Sequence, residues 1–317
     1  MRITAAGSLP GTDFRGALTA MTEALPEMLP LPELPERGPD SRLVGRALGL
    51  IDGLGFDVQP AGWRLTHHSS ADHRRARARW RQDLDDAEEL LQDFDGVLKV
   101  GVGGPWTLAA CVERPAGDWL LADHGARREL AQALADGVER LRAELARRLP
   151  RCEALIQVDE PSLVAVADGA IPTASGFSKH RRVDLPELTG ALALLAPGVL
   201  HCCAPGAWLG WARSAGYDAV SVDAALADYD ELARWLDEGR EVVLGVVDTA
   251  AARVQSTDEL VTRTLRVLRT LAIDDAARHV VLGTACGLAG WSPREVSAQL
   301  RALAAAAPLV EEALHRG

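Results

Sequence analysis

Short apolar runs alternate with longer amphipathic segments along most of the chain. The runs are rich in Val, Ile and Leu, whereas segments such as HRRARARWRQDLDDAEELLQDF repeat apolar residues at every third or fourth position. Runs of the first kind are typical of buried parallel strands, and segments of the second kind are typical of amphipathic helices. The alternation therefore predicts βα units arranged around a parallel sheet.

Eight of the apolar runs are candidate strands, of which the run at Phe56 is the weakest. Eight strands with helices between them favour an α/β fold of the (β/α)8 TIM-barrel type, and the length suits one such domain over residues 1–317. The predicted strands are Ile3–Ala6, Phe56–Gln59, Val97–Val100, Ala154–Val158, Val199–Cys202, Ala219–Val222, Val242–Val247 and Val280–Gly283.

Two stretches interrupt this rhythm. The segment from Pro26 to Gly38 is rich in proline, which cannot continue a helix, so we expect a loop there. Because it follows the first predicted strand, this loop would lie over the mouth of the barrel. The polar stretch from Asp168 to Asp184 is expected to form a long loop after the fourth strand.

The composition is that of an ordinary globular protein, with 48% hydrophobic and 25% charged residues and a net charge of −11. The basic residues form no single block, so we expect no nucleic-acid partner. The N-terminus lacks the apolar core of a signal peptide, and no apolar run approaches the roughly 20 residues that cross a bilayer. We therefore expect a cytoplasmic protein with no membrane partner. Its five cysteines are an odd number, which favours metal binding or reactive thiols over a disulfide framework.

Thiol, imidazole and carboxylate groups follow several of the predicted strands. In a TIM barrel the loops at these strand ends form the active site. His201 and Cys203 are two residues apart, so both side chains can point to the same side of an extended chain. Cys286 follows the last strand and Asp223 follows the sixth. One imidazole, two thiolates and one carboxylate form a donor set suited to tetrahedral Zn²⁺.

The segment VDEP places two consecutive carboxylates, Asp159 and Glu160, at the end of the fourth strand. Because successive strand residues point to opposite sides, at most one of them is expected to face the barrel mouth. An inward carboxylate beside a metal would suit the ammonium group of an amino-acid substrate. Cys152 and Cys202 are interpreted as small buried residues, the commoner role of a cysteine near a strand end.

Seven motifs resemble, in order and spacing, those of the catalytic C-terminal barrel of cobalamin-independent methionine synthase. They run from residue 3 to about residue 290 and are AAGSLPGTD, GGPWTL, IQVDEPSL, HCC, VSVD, LGVVDTAAARVQSTDEL and TACGLAG. In that family a zinc ion binds homocysteine as its thiolate, which accepts a methyl group from methyltetrahydrofolate. The resemblance implies a homocysteine S-methyltransferase of methionine biosynthesis that uses Zn²⁺ and a small thiol substrate.

The same resemblance implies specific zinc ligands, which are His201, Cys203, Asp223 and Cys286. Asp223 stands where the family usually has Glu, and it is shorter by one methylene. Ser8 matches a position that contacts homocysteine, and Asp159 matches the carboxylate that holds the amino group of homocysteine. Asp159 and Asp248, the acid of the DTAA segment, are the candidate catalytic residues.

Departures from the family pattern concern the methyl donor. Ala250 stands where the family has a His for proton delivery, and Cys111 stands where a Trp stacks on folate. The family's HGE segment has no obvious counterpart, although Glu33 or Glu36 could reach inward. Because an amine leaving group needs a proton and a cobalt leaving group does not, these losses favour a donor other than methyltetrahydrofolate. A methyl-corrinoid protein is then a possible partner.

Two alternatives stay open at this stage. The first is a metal-free enzyme like uroporphyrinogen decarboxylase, which belongs to the same barrel superfamily. Arg37 and Arg46 could then bind substrate carboxylates, but the His and Cys residues would be unexplained. The second is a non-catalytic zinc-binding or thiol-binding protein, which would bind a thiol without turnover.

Overall fold

Ten β-strands and eleven α-helices lie along the part of the chain that the computed structural model describes, which is residues 1–251, 253–272 and 276–316. The strands are β1 (Met28–Pro30), β2 (Gly55–Gln59), β3 (Gly62–Thr66), β4 (Val97–Gly103), β5 (Val112–Glu113), β6 (Glu153–Asp159), β7 (Val199–Cys202), β8 (Ala219–Asp223), β9 (Glu241–Val247) and β10 (Val280–Thr284). The helices are α1 (Phe14–Ala24), α2 (Leu43–Gly49), α3 (Ala71–Leu90), α4 (Pro105–Cys111), α5 (His124–Arg148), α6 (Leu163–Ala167), α7 (Leu185–Ala193), α8 (Leu209–Ala215), α9 (Tyr229–Asp237), α10 (Thr257–Leu271) and α11 (Pro293–His315).

Seven strands form one parallel sheet in the order β1-β4-β6-β7-β8-β9-β10. The N-terminal segment lies between the two ends of this sheet. Ile3 forms a parallel bridge with Leu282 of β10, and Ser8 forms one with Glu33, just after β1. The chain therefore has an α/β fold whose curled parallel sheet is consistent with a TIM-like barrel. The carboxyl ends of the parallel strands all lie at the same end of the curled sheet, where a functional site is expected.

Each long helix buries one apolar face. In α5 the buried residues Leu130, Leu134, Leu141 and Leu145 are separated by four or seven positions, which places them along one side of the helix. Helices α10 and α11 both begin with a capping box, in which a Ser and a Glu three residues later bind each other's backbone N–H groups. These local signals fix where the two helices begin.

Two predictions about the first part of the sheet are wrong. Phe56–Gln59 lies in β2, which pairs antiparallel with β3 and forms a separate three-stranded sheet with β3 and β5. The barrel strand is instead β1, inside the Pro-rich segment that was expected to be a loop. Pro30 is tolerated because the ladder to β4 uses the N–H of the next residue, Leu31, which donates to Lys99 O at 2.8 Å. The predicted strand at residues 3–6 contributes a single bridge.

The longest helices are amphipathic and not uniformly apolar. Helices α3, α5 and α11 have 20, 25 and 23 residues, and each combines charged side chains with buried apolar ones. Within the described ranges, no helix therefore has both the length and the hydropathy that a bilayer span requires.

Candidate metal centre and substrate cavity

The ends of β7 and β10 bring one imidazole and two thiols together. His201 lies in β7, Cys203 comes directly after it, and Cys286 lies two residues beyond β10. Their ligand atoms all lie within 4.8 Å of one another, and the Sγ atoms of Cys203 and Cys286 are 3.7 Å apart. Two thiolates bound to one tetrahedral zinc, each at about 2.3 Å, would be about 3.8 Å apart. The donor set and its spacing therefore fit a zinc ion.

Hydrogen bonds orient the imidazole and stabilise one thiolate. The Nδ1 atom of His201 lies 2.9 Å from the Oγ of Ser221 in β8, which leaves the other ring nitrogen for a ligand or for Cys286. Hydrogen bonds from Cys203 and His201 lower the pKa of Cys286 to about 4. Burial lowers the pKa of His201, but its hydrogen bond to Cys286 and the charge of Asp159 outweigh burial and raise that pKa. The hydrogen bond to Cys286, together with burial, raises the pKa of Cys203.

Asp223 and Asp248 do not join the group formed by the His and the two Cys residues. The Oδ1 of Asp223, at the end of β8, accepts a hydrogen bond from Ala225 N at 2.8 Å. The Oδ1 of Asp248, just after β9, accepts one from Ala250 N at 3.0 Å. Each carboxylate thus binds the backbone two residues further on. Burial raises the pKa of Asp223, and the charge of Asp248 adds to this rise. Their roles as fourth ligand and catalytic residue stay predictions.

A cavity of about 290 Å³ opens beside the three grouped side chains. Its volume is near the lower limit of ligand pockets, about 300 Å³, and suits a molecule of amino-acid size. A larger groove of about 500 Å³, between α1 and α11, contains none of the predicted site residues. The cavity is lined by Ala6, Ser8, Glu33, Pro35, Leu43, Asp159, Pro161, His201, Cys203, Cys286, Gly287, Ala289 and Gly290. Ser8 and Asp159, both predicted to bind substrate, therefore lie at one cavity with His201 and the two cysteines.

Asp159 and Glu160 have opposite surroundings, as expected for consecutive strand residues. Asp159 lines the cavity. Glu160 is fully buried, and its carboxylate accepts hydrogen bonds from Trp106 N at 2.8 Å and from Thr107 N at 2.7 Å, at the start of α4. It also accepts one from the Thr107 hydroxyl at 2.6 Å. Glu160 therefore joins β6 to α4, whereas Asp159 is available to a ligand.

A second buried carboxylate, Glu33, lines the cavity beside Asp159. A Cβ atom on Gly101 would lie 2.2 Å from Oε1 of Glu33 and 3.0 Å from Oδ2 of Asp159, so a glycine is needed between them. Burial raises the pKa of both carboxyl groups, to about 7 for Glu33. Two neighbouring buried carboxylates favour a cationic ligand. The sequence identified Glu33 only as one of two glutamates that could reach inward.

Arg37 and Arg46 are bound within the protein and do not line the cavity. Arg37 donates two hydrogen bonds of 2.8 Å to Asp83, and Arg46 donates one of 3.1 Å to the same carboxylate. The guanidinium of Arg46 also lies 4.1 Å from the centre of the Trp80 ring and 3.9 Å from a carboxylate oxygen of Glu33. These contacts argue against the metal-free alternative, in which the two arginines could bind substrate carboxylates.

Comparisons with known proteins identify the family and support the fold. A family model described as "Cobalamin-independent synthase, Catalytic domain" matches residues 117–308, more than half of the chain. A B12-independent methionine synthase from Shewanella sp. W3-18-1, solved in complex with selenomethionine, is 15% identical with a TM-score of 0.67 over 99% of both chains. A putative vitamin-B12-independent methionine synthase from Listeria monocytogenes is 13% identical with a TM-score of 0.63 over 98% of both chains. At these identities the two structures show a shared fold alone. No curated protein sequence matches the chain.

Proposed function

The chain belongs to the family of cobalamin-independent methionine synthase catalytic domains, and from this premise we propose that it is a zinc-dependent methyltransferase whose acceptor is homocysteine or a closely similar thiol. The observation that carries the proposal is the group of His201, Cys203 and Cys286 at the edge of a cavity of amino-acid size. We take residues 1–317 as one (β/α)8 barrel domain.

The cavity offers a place for each part of homocysteine. When bound by the three grouped side chains, zinc would supply the positive charge that keeps the substrate sulfur deprotonated. Asp159 and Glu33 would hold the substrate ammonium group from two sides of Gly101. Ser8, whose hydroxyl lies beside Gly287, would donate a hydrogen bond to the substrate. The selenomethionine bound by the Shewanella protein is an analogue of methionine, the product of this reaction.

The metal needs a fourth ligand, which the substrate sulfur or Asp223 would provide. The carboxylate of Asp223 would bind the metal through its other oxygen, or it would first lose the hydrogen bond that it accepts from Ala225 N. Asp248 lies close enough to Asp223 for its charge to raise the pKa of that residue, and we retain it as a candidate catalytic residue.

The methyl donor is a separate question. The family description is cobalamin-independent, so it gives no support to a corrinoid-protein partner. Methyltetrahydrofolate is the donor that the family implies, but Ala250 stands where the family places its proton-delivering His. The proposal therefore concerns activation of the thiol and leaves the donor to experiment.

A donor-independent assay tests the proposal. Methyl iodide, methyltetrahydrofolate and methylcobalamin are each offered to the zinc-loaded protein with homocysteine, and methionine is measured against the metal-free protein. We expect zinc-dependent acceleration with methyl iodide at least, its loss in Cys286→Ser and its retention in Cys152→Ser. Acceleration that does not depend on zinc would overturn the proposal, and tight thiol binding with no transfer from any donor would favour the non-catalytic alternative.

A further inference from the structure

A chain of three polar side chains fills the barrel interior beneath the cavity. Lys99 lies in β4, and Gln157 and Asp159 lie two residues apart in β6 on the same side of the strand. All three side chains are buried, and Lys99 and Gln157 are each 1% exposed. The ammonium of Lys99 donates to Oε1 of Gln157, and Nε2 of Gln157 donates to Oδ1 of Asp159 at 2.8 Å.

The neighbours of Gln157 permit only one orientation of its amide group. Lys99 can only donate hydrogen bonds, whereas the ionised Asp159 and the carbonyl oxygen of Ala6 can only accept them. The amide therefore turns its oxygen to Lys99, and its two hydrogens go to Asp159 and to Ala6 O at 3.1 Å. Lys99 also donates to Ala6 O at 3.3 Å. Every polar atom of the Gln157 amide is thus used, and the Asp159 carboxylate has a fixed donor on its inner side.

Burying these three polar side chains costs free energy that apolar side chains filling the same space would not cost. The interior of a TIM barrel is usually packed by layers of Val, Ile and Leu. Burying the cation of Lys99 carries a desolvation penalty, which apolar residues of similar size would avoid. Polar groups that break the packing pattern without a stability benefit are expected at functional sites.

We propose that Lys99 and Gln157 are positioning residues that fix the Asp159 carboxylate for the ammonium group of the substrate. Gln157 acts directly on Asp159, and Lys99 acts by locking the Gln157 amide. The inference rests on the proposed function, because it takes Asp159 as the group that binds the substrate amine. It adds that recognition of the amine depends on two residues that do not line the cavity.

A pair of thiols separates this role from a general structural one. Homocysteine and 4-mercaptobutanoate differ only in the amino group, and their binding to the zinc-loaded protein is measured by calorimetry. We expect Gln157→Met to weaken homocysteine binding by roughly tenfold and Lys99→Met to weaken it by several-fold. Binding of 4-mercaptobutanoate should change less than twofold, and zinc content should stay at the wild-type level. In the double variant, the added effect of Lys99→Met should be smaller than in the wild type, because the two residues act in series.

Several results would overturn the proposal that Lys99 and Gln157 position Asp159. Equal losses for both thiols would show a structural role, unchanged homocysteine binding in Gln157→Met would show no role, and independent effects in the double variant would break the series. If Lys99→Met does not fold, the ratio of the two thiol affinities in Gln157→Met decides alone. If the zinc-loaded wild type binds neither thiol, the proposed function itself is wrong, and the role of Lys99 and Gln157 is then wrong as well.

Discussion

Polar side chains on the two sides of the barrel mouth contact different kinds of partner. At the ends of β7 and β10, His201, Cys203 and Cys286 turn towards one another, and the imidazole is held by Ser221 of the adjacent strand. At the ends of β8 and β9, Asp223 and the Asp after β9 bind the backbone of their own loops. On the first side the side chains of different strands contact one another, and together they can hold a ligand. The second side is arranged within single loops, so its carboxylates would have to break or share local hydrogen bonds to take part.

This difference shows why a position at a strand end does not by itself define a metal ligand. The sheet register brings His201 opposite both Asp159 of β6 and Ser221 of β8, which fixes it relative to the cavity. Asp223 lies opposite Gly245 in the register of β8 and β9, and an Asp side chain is one methylene shorter than the Glu that the family usually has there. Of the four predictions below, the first and the last test the contrast between the two sides directly, and the two between them concern the carboxylates beside the first side. They are given from the largest expected effect to the smallest.

Removing a thiol from the first side should have the greatest consequence. Cys286→Ala should lower zinc affinity by about a hundredfold or more, because it removes one ligand from a site whose total binding energy is shared by few groups. Competition with a chromophoric chelator measures the affinity. Cys152→Ala is the matched control, because that thiol donates to Phe94 O, outside the proposed site, and its loss should leave zinc binding unchanged. Full zinc affinity in Cys286→Ala would remove this thiolate from the site.

Exchanging the consecutive carboxylates of β6 should separate binding from stability. Asp159→Asn should weaken homocysteine binding by about tenfold or more, because a charge-assisted hydrogen bond to the substrate is lost. Glu160→Gln should keep that affinity but destabilise the fold by about 1–3 kcal/mol, because one amide group cannot accept every hydrogen bond at the start of α4. Calorimetry and urea unfolding provide the two readouts, and the opposite assignment of effects would show that the wrong carboxylate faces the cavity.

Glu33 should make the stability of the metal-free protein depend on pH. Its pKa is about 7 in the folded protein and 4.5 when unperturbed, so the protonated form is favoured by folding. That contribution is complete below pH 4.5 and is lost as the pH rises through 7. Glu33→Gln resembles the protonated form, so its stability relative to the wild type should increase by about 1–2 kcal/mol over this window and then level off. Urea unfolding at pH 5 and pH 8 measures it, and a pH-independent difference would contradict the account.

The second side should show the smallest effects. Asp223→Asn should lower zinc affinity only several-fold, as for a group that supports the metal from a loop. Asp248→Asn should change zinc affinity by less than twofold, and any effect it has should appear in the rate of methyl transfer. If Asp223→Asn lowers zinc affinity as strongly as Cys286→Ala, the loop rearranges when the metal binds and the contrast between the two sides disappears.

The sequence was most informative where one local rule was sufficient. The spacing of His201 and Cys203 predicted a shared direction because side chains alternate along a strand. The short apolar runs identified β4, β6, β7, β8, β9 and β10 of the parallel sheet, because such runs are typical of buried parallel strands. Two of these strands, β7 and β10, position the grouped His and Cys residues. The opposite surroundings of Asp159 and its neighbour followed from the same alternation.

The sequence was least informative where tertiary contacts decide. β1 has only three residues and ends in Pro30, so it has neither the length nor the composition of an ordinary strand, and its neighbours in the sheet stabilise it. The hairpin at Phe56 has strand-like residues but pairs outside the barrel. Glu33 reaches the cavity because Gly101, distant in sequence, has no side chain. No local sequence pattern predicts that Glu33 occupies the space beside Gly101, or that Asp223 accepts a hydrogen bond from its own loop.

Zinc X-ray absorption of the purified protein, with and without homocysteine, tests the central claim most directly. The account predicts about one zinc per chain, bound by two sulfur atoms together with nitrogen or oxygen, and a third sulfur after homocysteine is added. A protein without zinc, or a zinc whose number of sulfur ligands does not change when homocysteine is present, would contradict it.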